Sequence, residues 1–281
     1  MEKTINLYEY FQSAREFKNG DLHCYIHNNQ KNISGSRIYP AVLIIAGGAY
    51  NFLCYRENIP IAERLYVDGF NVFVLDYTCG KKSKFPDSLI EGAMAMIYIR
   101  ENSVEYNLNI NKISVIGFSA GGHLAGMISN FNYACLNIFK KEQIEKIKPD
   151  FTVYVYPVVS TRDECIHLNS FKNLLKEDFN IKKHEISLEN MISSASPPAF
   201  IAHCSDDTIV NAENSLLLAE AYFKNSVSVE FHLFKKGNHG FAFPTLECFN
   251  SNELKYNNQD LIIWYKLLLI WLKSNGNIIT D

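Results

Sequence analysis

With 281 residues, 47% hydrophobic and 20% charged, the chain can bury a sizeable core without staples and is not disordered. Its net charge is −3, and its densest basic stretch (Lys140, Lys141, Lys146, Lys148) is broken by Glu142 and Glu145, which excludes an electrostatic case for nucleic acid or an anionic membrane. The seven cysteines are odd in number, scattered and without a C-x-x-C pair, so they read as reduced thiols and exclude a disulfide framework or a zinc site.

In chain order, Met1–Asn6 lacks the apolar core of a signal peptide, an expectation of cytoplasmic location. Leu22–Ile26 alternates and predicts an antiparallel edge strand. Further strands are expected at Ala41–Ala46, Phe70–Leu75, Ile113–Ile116, Phe151–Tyr156, Ala199–Cys204 and Val227–Phe234. Helical stretches fall between them at Ile59–Val67, Pro86–Arg100, Gly121–Asn130 and Asn211–Lys224, with a last helix near Gln259–Lys273. Gly69 stands where a C′ glycine belongs, Pro86 at a first turn, and Asn211 as an N-cap. Leu261–Leu272 is interrupted by Lys266 and reads as a buried terminal helix, not a membrane span.

Strands separated by helices imply right-handed crossovers and a mostly parallel sheet covered on both faces, in a single α/β domain over 1–281. One segment breaks the rhythm. Residues 160–198 exceed a simple crossover and carry Phe171, Leu174, Leu175, Ile186 and Met191, enough for one or two short helices. Insertions at strand carboxyl ends lie over the ligand crevice, so this one reads as a small cap or as a long surface crossover.

The chemistry gathers at loops following strands. Gly117-Phe118-Ser119-Ala120-Gly121 lies between a β-branched run and a small-residue helix start, the context in which a serine sits on a sharp, exposed turn. A serine hydroxyl needs a base within reach and N–H donors for the oxyanion that its attack creates. Among eight histidines, His239 in a glycine-flanked loop after the last strand is the candidate base. His123, one turn beyond Ser119, reads as packing or capping, and His203 as a supporting hydrogen bond; His23, His27, His167, His184 and His232 carry no motif. Asp207 is the candidate orienting acid, since Asp207-Thr208-Ile209-Val210 puts a carboxylate three residues before a tucked valine. Asp206 is then a turn residue or a second partner. Ala46-Gly47-Gly48-Ala49 closes the Ala41–Ala46 strand, so Gly47 and Gly48 with Ala120 are the expected oxyanion donors.

These stretches resemble the α/β-hydrolase superfamily, with nucleophile, acid and base in the order Ser119, Asp207, His239. The closer likeness is to the acetyl xylan esterase-like branch. It is carried by Ala46–Tyr50, Gly117–Ala125, Asp206–Ser215 and Lys236–Phe241. The branch more often has His or Pro at Ala46, a third glycine at Ala49 and proline at Asn211. If position 49 needs a positive φ, its methyl costs on the order of 1 kcal/mol.

Tyr50, Phe118 and Phe243, with Phe52 and Phe241, flank these loops and are candidates for the wall of a small acyl pocket. No Arg or Lys cluster calls for a charged substrate, and no metal or other cofactor is required. The expectation is a serine esterase acting on a small uncharged ester, such as an acetylated sugar, with oligomeric state open. Amide chemistry on the same residues (an arylformamidase or small peptidase) and a non-catalytic binding module are the alternatives.

Overall fold

The apolar β-branched runs assemble into one twisted sheet. The computed structural model describes residues 2–13, 19–29, 37–250 and 259–276. Its strands are β1 (Glu2–Asn6), β2 (Asp21–Tyr25), β3 (Tyr39–Ile45), β4 (Asn71–Asp76), β5 (Leu108–Phe118), β6 (Phe151–Val155), β7 (Ala199–Cys204) and β8 (Val229–Phe234). Helices are α1 (Leu7–Tyr10), α2 (Ile59–Val67), α3 (Asp87–Glu101), α4 (Ala120–Asn130), α5 (Lys141–Ile147), α6 (Leu168–Leu175), α7 (Phe179–Lys182), α8 (Glu213–Lys224) and α9 (Ile263–Ser274). The sheet runs β1-β2-β4-β3-β5-β6-β7-β8, with β2 antiparallel to both its neighbours and every other pairing parallel.

Both faces are buried, which is why β3 reads as an unbroken apolar run. Ala41, Leu43 and Ile45 enter the core beneath α3, α4 and α8. Val42 and Ile44 enter the opposite core, filled by α2 and α9 with Trp264, Leu268 and Trp271. Among the described residues no helix is long and apolar enough to cross a membrane. All seven cysteines are unpaired.

Local signals act as their chemistry dictates. Gly69 follows α2 at φ 93°, while Asn211 stands one residue ahead of Ala212, the N-cap of α8, and its Oδ1 accepts the Glu213 N–H at 2.9 Å. The pattern is silent on β1, whose polar Glu2-Lys3-Thr4 run pairs antiparallel with β2 and takes the edge, so β2 is antiparallel as expected but lies inside the sheet between β1 and β4; it is silent too on α1 and α5, each under two turns. Residues 160–198 form α6, α7 and short 3₁₀ turns. Phe171, Leu174 and Leu175 sink into the core, while Asn173 Nδ2 donates to Ala49 O at 2.9 Å.

Register levels the working ends. Ile45 pairs with Gly117 and Phe118 with Val155, so the residues after β3, β5 and β6 emerge side by side. Cys204 pairs with Phe234, which sends the loops after β7 and β8 off together.

Candidate active site

Ser119 joins β5 directly to α4 at φ 53° and ψ −120°, a strained conformation for a non-glycine residue. Only small neighbours permit it. A Cβ on Gly117 would collide with Gly121 O, and one on Gly121 with Ile45 O. The turn therefore lies flat against β3, leaving Ser119 6% exposed with its side chain in a cleft.

Ser119 Oγ and His239 Nε2 are 2.9 Å apart, and His239 Nδ1 lies 2.7 Å from Asp207 Oδ2. A carboxylate only accepts, so Nδ1 carries the proton and Nε2 is left as the acceptor for the serine hydroxyl. Asp207 Oδ1 takes the N–H groups of Ile209 and Val210, each at 2.9 Å. His203 Nε2 adds a contact to Asp207 Oδ2 at 3.1 Å, its Nδ1 being 2.7 Å from Ser215 Oγ. Burial works against the Asp207 charge, yet hydrogen bonds from His203 and His239 outweigh it and hold the carboxyl well below the usual range. Its ionised form therefore stabilises the fold above the ordinary carboxylate pKa, a contribution lost as pH falls through the depressed folded value. The adjacent Asp206 turns away, and its Oδ1 accepts Gly237 and Asn238 N–H at 3.0 Å each, pinning the histidine loop.

His123 is structural. Its Nε2 donates to Ile186 O at 2.7 Å, so Nδ1 accepts from Tyr50 Oη at 2.8 Å. Burial lowers its pKa from 6.5 to about 4. Between those values the unfolded chain binds a proton that the folded chain refuses. The contribution of His123 to stability is therefore full above pH 6.5 and is lost towards pH 4, by about 3 kcal/mol. Urea unfolding of His123→Phe across this window is expected to give a slope of stability on pH shallower than wild type by about 1.4 kcal/mol per unit; equal slopes would clear His123 of the effect.

Three expected pocket residues are corrected. Phe118 is fully buried, packed on Tyr156 and Trp264 across the α9 face of the sheet. Phe243 stacks on Trp264 at 5.8 Å, and Tyr50 turns inward at φ 57° to reach His123. Phe241 is likewise core, against Tyr156. The side chains in the cleft wall, a space of about 370 Å³, include Phe52, Arg56, His167, Asn169, Ile209 and His239. His167 and Asn169 come from the 160–198 segment. Neither carried a sequence signal, because a cleft wall collected from three loops has no period.

The oxyanion side also needs a correction. Gly47 abuts the nucleophile, since a Cβ there would stand 2.8 Å from Ser119 Cβ. Its N–H, however, is already donated to Glu57 Oε2 at 2.8 Å. Gly48, at φ 123°, and Ala120, at the first turn of α4, have backbone N–H groups without an acceptor among the described residues. Ala49 does adopt a positive φ, 54°. Glu57 is a buried carboxylate in the cleft wall that no sequence motif marks. Among the described residues no group of three His, Cys, Asp or Glu could hold a metal ion.

A serine elbow between strand and helix, on a mostly parallel eight-stranded sheet of this order, defines an α/β-hydrolase. The BD-FAE family matches residues 25–222, and the chain belongs to that family, in the acetyl xylan esterase-like branch of the fold. It is 31% identical over 237 residues to endo-1,4-beta-xylanase B of Butyrivibrio fibrisolvens, covering 82% of this chain and 36% of that protein. It is 27% identical over 254 residues to the acetylxylan esterase of Xylanibacter ruminicola, covering 86% of this chain and 49% of the relative. The chain thus spans about a third to a half of the length of these curated relatives. The crystal structure of the acetyl ester-xyloside bifunctional hydrolase of Caldicellulosiruptor lactoaceticus superposes with a TM-score of 0.79 at 31% identity, covering 99% of this chain and 97% of that one.

Proposed function

We propose that the protein is a serine esterase that removes short acyl groups, acetyl foremost, from sugar esters through an acyl-enzyme. The observation that carries this reading is the hydrogen-bonded line Ser119–His239–Asp207 opening on a cleft. Ser119 Oγ attacks the ester carbonyl while its proton passes to His239 Nε2. Asp207 keeps the imidazole in the Nδ1–H tautomer and stabilises the imidazolium. The oxyanion forms between the N–H groups of Gly48 and Ala120, donors that need no reorganisation as charge develops. His239 then hands its proton to the departing alcohol oxygen. A water enters, loses a proton to the same nitrogen and attacks the acyl carbonyl; as the tetrahedral intermediate collapses His239 passes that proton to the departing Ser119 Oγ, which leaves free Ser119 and the carboxylic acid.

The acetyl and sugar assignments draw support from the acetylxylan esterase and the acetyl ester-xyloside hydrolase that the chain is similar to. Seven unpaired cysteines accord with a reducing, cytoplasmic setting, in which oligosaccharides would be met in preference to polymer. A space of about 370 Å³ has room for one sugar residue with its acetyl group. Hydrolysis rates on p-nitrophenyl acetate, butyrate and octanoate, alongside acetylated xylose, test this. We expect acetate to lead octanoate in kcat/KM by about tenfold or more, with acetate released from the sugar. A preference for octanoate, or no ester turnover, would sink the assignment.

A further inference from the structure

Among the described residues Glu57 is the one buried carboxylate in the cleft wall that the proposed reaction leaves unused. It is 3% exposed, and two donors converge on it from different strand ends: the Gly47 N–H after β3 at 2.8 Å and the Tyr156 O–H after β6 at 3.0 Å. Each neighbour matters to the site. Gly47 packs against Ser119 and precedes the Gly48 N–H. The Tyr156 ring meets the His239 ring edge-on at 4.9 Å, from a backbone strained to φ 40°. The Gly47 carbonyl is tied as well, accepting Cys54 N–H at 3.0 Å. The two peptide planes on either side of the Gly47 Cα are therefore both held by the loop that ends in Glu57, the first through the Gly47 N–H and the second, which carries the Gly48 N–H, through the Gly47 carbonyl. The Gly47 N–H can only donate and so requires an acceptor at Oε2, while the Tyr156 hydroxyl donates to Oε1, where an ionised carboxylate offers an acceptor and an amide nitrogen does not. Burial pushes the Glu57 carboxyl up, while the His239 charge, the Gly47 N–H and the Tyr156 hydroxyl pull the other way.

We propose that Glu57 is a positioning residue of this site, clamping the Gly47 peptide so that the next N–H faces the oxyanion and seating Tyr156 against His239. The role rests on the esterase reading, yet its physical content, a held backbone, is measurable without turnover. In Glu57→Ala the buried N–H loses its acceptor and the strand end is free to turn. Displacement of a catalytic group by about an ångström costs on the order of 100-fold in rate. Glu57→Gln keeps one acceptor oxygen for Gly47 but offers an N–H₂ where Tyr156 already donates, so it restores part of the geometry.

Two measurements on the full chain test the clamp. With p-nitrophenyl acetate, kcat is expected to fall about 100-fold in Glu57→Ala and about 3- to 10-fold in Glu57→Gln, with KM within about threefold of wild type. Glu57→Gln is near-isosteric and decides the kinetic question should the alanine variant not fold. A kcat within twofold of wild type in Glu57→Gln, or a loss carried by KM alone, overturns the role. The second measurement is amide hydrogen exchange over residues 46–50, which should be faster in Glu57→Gln than in wild type. Unchanged exchange overturns the clamp whether or not any ester is cleaved. An inactive wild type with faster exchange in the variant upholds the clamp and sinks the esterase reading alone.

Discussion

Ser119→Ala is expected to lower kcat on p-nitrophenyl acetate by about 10⁴-fold or more and to abolish labelling by a fluorophosphonate, with the melting temperature essentially unchanged. The size of the loss follows from what the hydroxyl does. Without Oγ no acyl-enzyme forms, and only the oxyanion donors and substrate positioning remain to speed direct attack by water. The fold should tolerate the change because the deleted atom hydrogen-bonds only His239 among the described residues. Alanine also accepts the strained φ of 53° no worse than serine does, so elbow geometry is kept. Persistent labelling, or activity within tenfold of wild type, would remove Ser119 from the nucleophile's role.

Asp207→Asn is expected to cost about 10⁴-fold in kcat near neutral pH. An amide nitrogen placed against His239 donates where the carboxylate accepts. Nδ1 must then become the acceptor, and the proton moves to Nε2, the nitrogen that should receive the serine's. Stability should fall too, because Asp207 also serves Ile209 N–H, Val210 N–H and His203. The amide oxygen can keep the two backbone donors. The contact to His203, now amide to imidazole, loses the charge that strengthened it, a change on the order of 1–3 kcal/mol. Kinetics and urea unfolding of the one variant separate these effects. A loss under tenfold in kcat would show that Asp207 does not govern the tautomer, whatever the fall in stability.

The two variants exercise opposite ends of one hydrogen-bonded line, so their effects should not add. Once Ser119 is gone, the tautomer of His239 has no proton to collect. The double variant is expected to match Ser119→Ala in kcat.

The amino-acid sequence by itself determined seven of the eight strands, β2 to β8, because apolar runs of five to seven residues punctuated by glycine, proline and asparagine identify strands and their crossovers locally; the polar β1 is an edge strand only by its pairing to β2. It also determined which residues stand at the strand ends. A serine between two glycines, an aspartate three before a valine and a histidine in a glycine-flanked loop are each constrained by their own backbone turn. The structure sets Ser119, His239 and Asp207 2.9 and 2.7 Å apart. Tertiary structure alone decided which way the side chains faced. Tyr50, Phe118 and Phe243 are adjacent in sequence to the cleft and absent from its wall, since an aromatic ring gains more by burial in the α9 core or against His123 than beside water. It alone decided that the Gly47 N–H is spent on Glu57, ten residues along a loop with no period. And it alone brought His167 and Asn169 to the cleft, by burying Phe171, Leu174 and Leu175 of the same helix in the core. Backbone turns are written locally. The facing of a side chain is settled by whatever distant surface competes for it.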